Sequence, residues 1–444
     1  CTEQLTSKAL PLLYFEEVAT AMGAAGGSDV RQRVEEAIAA ILLNQSPNGA
    51  FGLWSPDAGD LWLDAYVTDF LSRARAQGYT VPDTAFRNAL DNLRNQVNYA
   101  PDFDEGGGPY AYALMVLARE GAAAIGDLRY YADVKATAFD TPVAAAQLGA
   151  ALAAYGDQRR ADAMFTAAAQ LLARQGTAEA HLWRADYGTN LRDAAALLAL
   201  ATEAGSAAVD AGTLGGSVAS AMAGQRLSTQ EAAWALLATH ALIDRPGTEG
   251  FTVNGAPVTG PLVRVLDADA AEPQVITNGS GRAATLTLTT FGVPTEPEPA
   301  GGKGYAIVRS YYTLEGEPAD IATVRQGTRL VAVVEVTPTA KGEARLIVND
   351  PLPAGFEIDN PALLHSGDIA ALGWLETAET RTAEFRQDRF IAAVDWTSPD
   401  PFRLAYILRA ISPGTFRQPA ASVEDMYRPD YRARTATGTV TVTE

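Results

Sequence analysis

The first four residues, Cys1-Thr2-Glu3-Gln4, hold the clearest chemistry in the chain. A spacing of three puts a thiol and a carboxamide on one side of a turn or helix start. A thiolate so placed can attack the Gln4 carbonyl carbon and expel ammonia, leaving a thioester between Cys1 and Gln4. The thiolate is a comparatively stable leaving group, so a nearby amine or hydroxyl can then take the acyl group. Four residues are a short pattern, and two alternatives stand beside it. Cys1 is an ordinary thiol, or it is the lipidated first residue of a mature bacterial lipoprotein. A lipidated Cys usually precedes a flexible polar tether, whereas Leu5, Ala9, Leu12 and Leu13 begin an apolar stripe at helical spacing at once. Cys1 is the sole cysteine, which excludes an intramolecular disulfide.

Other residue types offer less. The three histidines, His181, His240 and His365, form no ligand pair and have no Cys near them in sequence, so no metal or cofactor site is expected. His240 lies late in an expected helix, where it suits the negative end of the dipole. Asp57, Asp60, Asp64 and Asp69 lie near Trp54 and Trp62, which admits a carbohydrate hydrolase or lyase with paired carboxylates. The competing account is a solvated helix face in an acidic protein. Trp62, Tyr66 and Phe70 recur at i, i+4, i+8, the spacing of a core stripe or, less often, a sugar platform. The Gly-rich 103–108 stretch ("FDEGGG") follows no strand and holds no Lys, so it is no phosphate loop.

These residues need elements to position them. To about Arg245 the chain reads as helical, rich in Ala and Leu, with about eleven or twelve helices joined by short loops. Breaks fall at Gly26-Gly27-Ser28-Asp29, Ser46-Pro47-Asn48-Gly49, Val81-Pro82-Asp83, Asp140-Thr141-Pro142 and Ala154-Tyr155-Gly156-Asp157. Repeated helical hairpins build either an open solenoid or a closed α/α toroid. From Phe251 the chain turns to Thr, Val and period-2 alternation, with an Asn254-Gly255 hairpin turn and an alternating 282–292 ("RAATLTLTTFG"). Residues 294–304 ("PTEPEPAGGKG") read as a linker. From Tyr305 to Glu444, regular short strands predict a β-sandwich. The fold class is therefore multidomain α + β, a helical region followed by all-β segments.

Composition sets outer bounds. The chain has 444 residues, 48% of them apolar, and a formal net charge of −19. Such an acidic surface repels phosphate, which argues against nucleic acid as a partner. No basic cluster offers an anionic-lipid site. No apolar run is long enough to span a bilayer, and any export signal is expected to have been removed or to lie upstream.

Several stretches together resemble the bacterial α2-macroglobulins. "CTEQLTSKALPLLYFEEVA" is similar to the thioester region shared with complement components. "SPNGAFGLW", "GPYAYALMVLAREG", "YGTNLRDAAALLAL" and "RLSTQEAAWALLATHAL" look like helices of the bacterial branch. "VNDPLPAGFEIDNPAL" and "VEDMYRPDYRARTATGTVTV" look like its last macroglobulin-type domain. The resemblance implies a thioester-containing α/α toroid of six helical hairpins over residues 1–247. It further implies part of a CUB-like β domain over 248–303 and a macroglobulin-like β-sandwich over 304–444. It implies an inhibitor rather than an enzyme: a protease cuts a bait region, the trap changes shape, and the exposed thioester acylates a Lys amine of the protease. It implies Met426 and Tyr427 as the apolar shield of the thioester, with packing into the sandwich core as their alternative. Some complement proteins redirect the acyl group to hydroxyls with a His about a hundred residues after the Cys; residues 97–108 hold none, so the direct, amine-selective route is implied. The bait region and upstream macroglobulin domains are expected as partners outside these residues. A periplasmic location is implied, with membrane anchoring through a lipid in the missing N-terminal region. Beside this stand the carbohydrate-active enzyme and a non-catalytic interaction module.

Overall fold

The structure is a computed structural model, and residues 1–22, 29–100, 102–175, 184–244, 247–266, 272–284, 286–290, 292–339, 342–359 and 373–444 are described. His181 and His365, and the Gly26-Gly27-Ser28 break, lie outside the described residues. The chain divides into two compact units, residues 1–180 with 184–287, and residues 288–444 with 181–183.

Twelve α-helices are described in the first unit: α1 (Thr2–Ala9), α2 (Leu12–Ala21), α3 (Val30–Leu42), α4 (Leu61–Ala76), α5 (Asp83–Asn98), α6 (Gly108–Arg119), α7 (Ile125–Val134), α8 (Pro142–Ala154), α9 (Gln158–Gln175), α10 (Asn190–Glu203), α11 (Ala211–Met222) and α12 (Thr229–Ala241). Starts follow capping chemistry. Asp60, Thr141, Thr189 and Asp210 each accept a backbone N–H, and Ser228 with Glu231 forms a complete capping box. The helices sort by burial. Helix α4 is buried from Trp62 through Ala74, and α6 and α8 nearly as fully, whereas α5 and α9 bury one stripe each. The all-round buried helices pack in succession, α4 on α6 on α8 on α10 on α12, and α1 closes the circle against both α12 and α4. Helices α3, α5, α7, α9 and α11 pack outside them. This closure decides for the toroid over the open solenoid, which hairpin repetition alone left open. Small side chains permit it: Gly149 of α8 lies so close to α9 that a Cβ there would stand 3.2 Å from the Ala161 carbonyl oxygen.

A three-stranded antiparallel sheet follows: β1 (Phe251–Val253), β2 (Ala256–Pro257) and β3 (Ile276–Asn278), in order β2-β1-β3. Asn254 and Gly255 both have positive φ, +50° and +81°, as the expected two-residue turn requires. The alternating stretch at 282–292 departs from expectation. Its described residues pair with no strand, and Leu286 and Leu288 are 74% and 82% exposed. Alternation specifies which side chains share a face but does not supply a neighbouring backbone.

The second unit holds β4 (Gly301–Lys303), β5 (Tyr305–Tyr312), β6 (Pro318–Ala319), β7 (Thr323–Arg325), β8 (Arg329–Pro338), β9 (Ala344–Pro351), β10 (Phe356–Ile358), β11 (Thr382–Phe385), β12 (Arg389–Trp396), β13 (Phe402–Ala410), β14 (Gly414–Gln418), β15 (Ser422–Asp425), β16 (Arg428–Arg434) and β17 (Gly438–Thr443). Sheets ordered β10-β13-β8-β5-β6 and β11-β12-β9-β15-β16-β4 bury one shared core, in which alternate residues of β8 and β9 such as Val334, Val336, Leu346 and Val348 meet Tyr406 and Leu408 of β13. A third sheet, β14-β17-β7, contains the parallel pair β17 with β7. The end of the expected linker, Gly301–Lys303, is instead an edge strand on Arg432–Arg434. Glycine permits this, since a Cβ on Gly302 would stand 2.5 Å from the Ala433 Cβ.

Candidate functional site: the amino end of helix α1

Helix α1 begins directly after Cys1, whose carbonyl oxygen accepts the first helical hydrogen bond, from Leu5 N–H at 3.0 Å. Cys1, Gln4, Leu5 and Lys8 are half-buried or exposed, while Thr2, Glu3, Thr6, Ser7 and Ala9 are buried. Positions i, i+3, i+4 and i+7 form one helix face, so the fold brings Cys1 and Gln4 to the same, accessible side. Pro11 cannot donate to the ladder, and α1 ends at Ala9 before α2 resumes.

Two structures hold α1 in this rotation. The first is the loop that follows α3. Thr2 N–H donates to the Leu53 carbonyl at 2.8 Å, Thr2 Oγ1 donates to the Gly52 carbonyl at 2.7 Å, and Asn44 Nδ2 donates to Thr2 Oγ1 at 2.8 Å. Gly52 is irreplaceable in this geometry, because a Cβ would lie 1.8 Å from the Ser55 carbonyl oxygen. The loop is anchored by Asp64 of α4, whose Oδ1 accepts from Phe51 N–H at 2.7 Å. Its Oδ2 accepts from Asn92 and Gln96, each at 2.8 Å. Burial raises the Asp64 pKa above the ordinary carboxylate value, against the lowering pull of those three donors.

The second is a polar network under the buried face. Ser7 Oγ donates to Glu3 Oε1 at 2.6 Å. Gln230 Nε2 of α12 donates to both Glu3 Oε1 and Ser7 Oγ, at 2.9 Å each. Tyr66 of α4 lies 2.8 Å from Ser7 Oγ. Ser7 has one proton, already given to Glu3, so Tyr66 O–H is the donor to it. Burial, with the Glu3 charge, raises the Tyr66 pKa and keeps that proton in place. Glu3, Tyr66 and Gln230 are fully buried. Gln230 Oε1 accepts from Arg192 Nη1 at 3.5 Å, and Arg192 is gripped by Asp193 at 2.9 Å and Asp186 at 2.7 Å. Helices α1, α4, α10 and α12 are thus tied through the ring interior. Sequence reasoning singled out an apolar stripe at Leu5, Ala9, Leu12 and Leu13, and missed that the polar residues Thr2, Glu3, Thr6 and Ser7 are the buried ones. The signal present was the alternation of Thr and Ser between the apolar positions, which becomes legible only with their partners in view.

The acidic and aromatic cluster belongs to the ring. Trp62, Tyr66 and Phe70 are 3%, 0% and 0% exposed, and Trp62 packs on Tyr66, Tyr112 and Tyr187 at 5.0, 5.9 and 5.0 Å. Asp69 is fully buried, paired with Arg73 at 3.0 Å and with Arg119, and accepts from Tyr112 O–H at 2.9 Å. Asp60 caps α4, and Asp57 is exposed. A glycosidase needs two carboxylates facing open space; here Asp64 and Asp69 are fully engaged in structural contacts. His240 Nε2 lies 2.8 Å from Glu17 Oε2 with its ring against Tyr14. Among the described residues, no group of three His, Cys, Asp or Glu could hold a metal. No described helix is long and apolar enough to cross a membrane.

In the second unit, Met426 and Tyr427 form the turn between β15 and β16. Met426 N–H donates to the Arg345 carbonyl at 2.9 Å, and Tyr427 N–H donates to Asp425 Oδ1 at 3.1 Å. Tyr427 is buried, 8% exposed, with the Arg345 guanidinium 5.9 Å from its ring centroid, and Met426 is half-buried.

Comparison with known proteins agrees with this architecture. Residues 304–430 match the family described as the bacterial α2-macroglobulin MG10 domain. An α2-macroglobulin of Escherichia coli (strain K12) is 31% identical over 98% of this chain, and one from Xylella fastidiosa (strain Temecula1) is 27% identical over all of it. The chain spans 28% and 29% of those two proteins, respectively. A Salmonella α2-macroglobulin solved after reaction with methylamine superposes with a TM-score of 0.83 at 31% identity, covering 100% of this chain and 30% of that one. The E. coli protein from domain MG7 to the C-terminus superposes with a TM-score of 0.81 at 28% identity, covering 100% and 73%. With 31% identity to the E. coli protein over 98% of its length and an MG10 match over residues 304–430, the chain belongs to the bacterial α2-macroglobulin family.

Proposed function

We propose that this chain is the acyl-transfer part of a protease trap, in which Cys1 and Gln4 form an internal thioester that acylates attacking proteases. The observation that carries this reading is the shared accessible face of Cys1 and Gln4 on a helix whose other face is locked by Thr2, Glu3 and Ser7. Cys1 Sγ attacks Gln4 Cδ and ammonia departs; later an amine attacks Cδ and the Cys1 thiolate leaves. A position at the amino end of a helix stabilises that thiolate and favours its departure. Lys amines of the protease are the acceptors, and the bait region and upstream macroglobulin domains are the partners that control access. We place the protein in the periplasm, anchored to the inner membrane through a lipid upstream. The chemistry is single-turnover, so the protein is an endopeptidase inhibitor.

In the full-length protein, labelled methylamine is expected to add to Gln4 as a γ-amide and to release one titratable thiol at Cys1. Cys1→Ala is expected to abolish both the incorporation and covalent protease capture, with the thermal transition retained. Incorporation that persists in Cys1→Ala rejects the thioester.

A thioester persists only where water and small amines are kept out. We assign that shielding to Met426 and Tyr427, a flexible apolar and a broad flat side chain held in one turn. Replacing both with Ala is expected to speed methylamine reaction and spontaneous hydrolysis about tenfold or more, equivalent to losing ~1.4 kcal/mol or more of protection. An unchanged inactivation rate rejects the assignment, and a large drop in stability returns both residues to a packing role.

A further inference from the structure

We propose that Lys8 is an internal acceptor for the acyl group, so that a thioester not captured by a protease closes into a Gln4–Lys8 isopeptide bond. The inference rests on the thioester reading above. Lys8 is exposed on the face of α1 that carries Cys1 and Gln4. It stands four residues after Gln4 inside one continuous helix, the spacing at which side chains meet, with Cβ atoms roughly 5–6 Å apart. A Lys stem easily spans that gap to the Gln4 acyl carbon.

The residue type matters. The chain contains thirty arginines and only four lysines, Lys8, Lys135, Lys303 and Lys341. Where a cation serves an ion pair in the first unit, Arg is nearly always used, and Lys135 is held by Asp102 and Asp104 at 2.8 and 2.7 Å. Among the described residues Lys8 has no ion-pair partner, which leaves its amine available. An Arg would serve the carboxyl end of α1 electrostatically as well, but a guanidinium stays protonated and is no acyl acceptor. The reaction balances without an added reagent. The ammonium loses a proton to solvent, the amine nitrogen attacks Gln4 Cδ, the Cδ–Sγ bond breaks, and Cys1 leaves as a thiolate that takes up the second nitrogen proton. Net products are one amide, one thiol and one proton. The shield that keeps free amines off Gln4 Cδ also blocks the approach of the Lys8 amine; once it opens, proximity on one helix lets Lys8 compete with water. The device limits how long a sprung trap stays reactive.

The outcomes have distinct masses. Arg-directed cleavage of the denatured protein releases the peptide that carries Cys1 and Gln4, ending at Arg31 in wild type and at position 8 in Lys8→Arg. An intact thioester has lost ammonia and its thiol is masked. A hydrolysed one carries Glu at position 4 and a reactive thiol. The isopeptide has lost ammonia and has a reactive thiol. The full-length protein is treated with a protease and then alkylated, with wild type and Lys8→Arg compared. The expected result is that much of the wild-type peptide is both ammonia-deficient and alkylated, with fragmentation linking Gln4 to Lys8, and that this fraction rises with pH. In Lys8→Arg that species is expected to vanish, with hydrolysed and protease-linked Gln4 increased in its place. A sprung wild type in which Gln4 is only hydrolysed or protease-linked, matching Lys8→Arg, overturns the inference and leaves the thioester reading intact. Unmodified Gln4 beside an alkylatable Cys1 before and after protease overturns both.

Discussion

Replacing Gln230 with Glu is expected to destabilise the helical unit by about 3–5 kcal/mol and to abolish methylamine reactivity at Gln4. Gln230 contributes two N–H donors, to Glu3 Oε1 and Ser7 Oγ, and both it and Glu3 are fully buried. The variant removes both donors, which share the one Nε2 atom, and puts a second carboxylate oxygen about a hydrogen bond's length from Glu3 Oε1. Two carboxylates at that separation cannot both ionise, and burial removes the water that would screen them. Relief comes when Glu3 swings away, and Glu3 lies between Cys1 and Gln4 in the chain. Unwinding of the first turn of α1 then breaks the i, i+3 spacing that brings Cys1 and Gln4 together. The double variant Glu3→Gln with Gln230→Glu restores a donor facing an acceptor, and its new carboxylate on α12 also faces Arg192. It is expected to regain at least ~1 kcal/mol relative to the sum of the singles, the signature of directly coupled residues. Denaturant unfolding of the four members of the cycle measures this. Additive effects across the cycle would show that Gln230 acts through general packing rather than through Glu3.

The second large effect falls on Asp69. Asp69→Ala is expected to cost about 3–5 kcal/mol, because it leaves Arg73, itself 6% exposed, without its buried carboxylate partner. The same residue sets a pH dependence. Burial alone would raise its pKa, but Arg119 and Arg73 outweigh burial and hold it at about 2, below the ordinary 3.8. A depressed folded-state pKa means that the unfolded chain binds the proton more readily. Asp69 therefore contributes stability, on the order of 2 kcal/mol, that is complete above about pH 4 and is lost as pH falls towards 2. Asp64 works in the opposite sense, since its raised pKa makes the folded state favour protonation and so offsets part of the loss on acidification. Unfolding free energies of wild type and Asp69→Asn, measured from neutral pH down to about 2, are expected to converge in that acidic window. Parallel profiles throughout would show that Asp69 is not ionised in the native ring.

Local rules in the sequence determined the kinds of element and many of their limits. Pro82, Thr141 and Pro142, and Gly156 mark helix boundaries because each is restricted in φ, in donor capacity or in capping, whatever lies around it. The strands Arg329–Pro338 and Arg389–Trp396 stand as the sequence predicts, because β-branched runs between turn residues favour extended backbone wherever they are placed. The spacing of Cys1 and Gln4 was also legible, since side chains at i and i+3 meet on any helix. Tertiary structure decided what depends on distant backbone. Ring closure rests on α1 meeting α12 across more than two hundred residues of chain, and no periodicity specifies that. The edge strand at Gly301–Lys303 exists only because Arg432–Arg434 offers it a ladder, and the alternating 282–290 segment has none among the described residues. The burial of Glu3, Ser7, Asp69 and Gln230 runs against their polarity, and a polar group goes inside only where partners from other helices satisfy it. Sequence thus supplied the spacing of Cys1 and Gln4, while the fold supplied the locked helix face on which they stand.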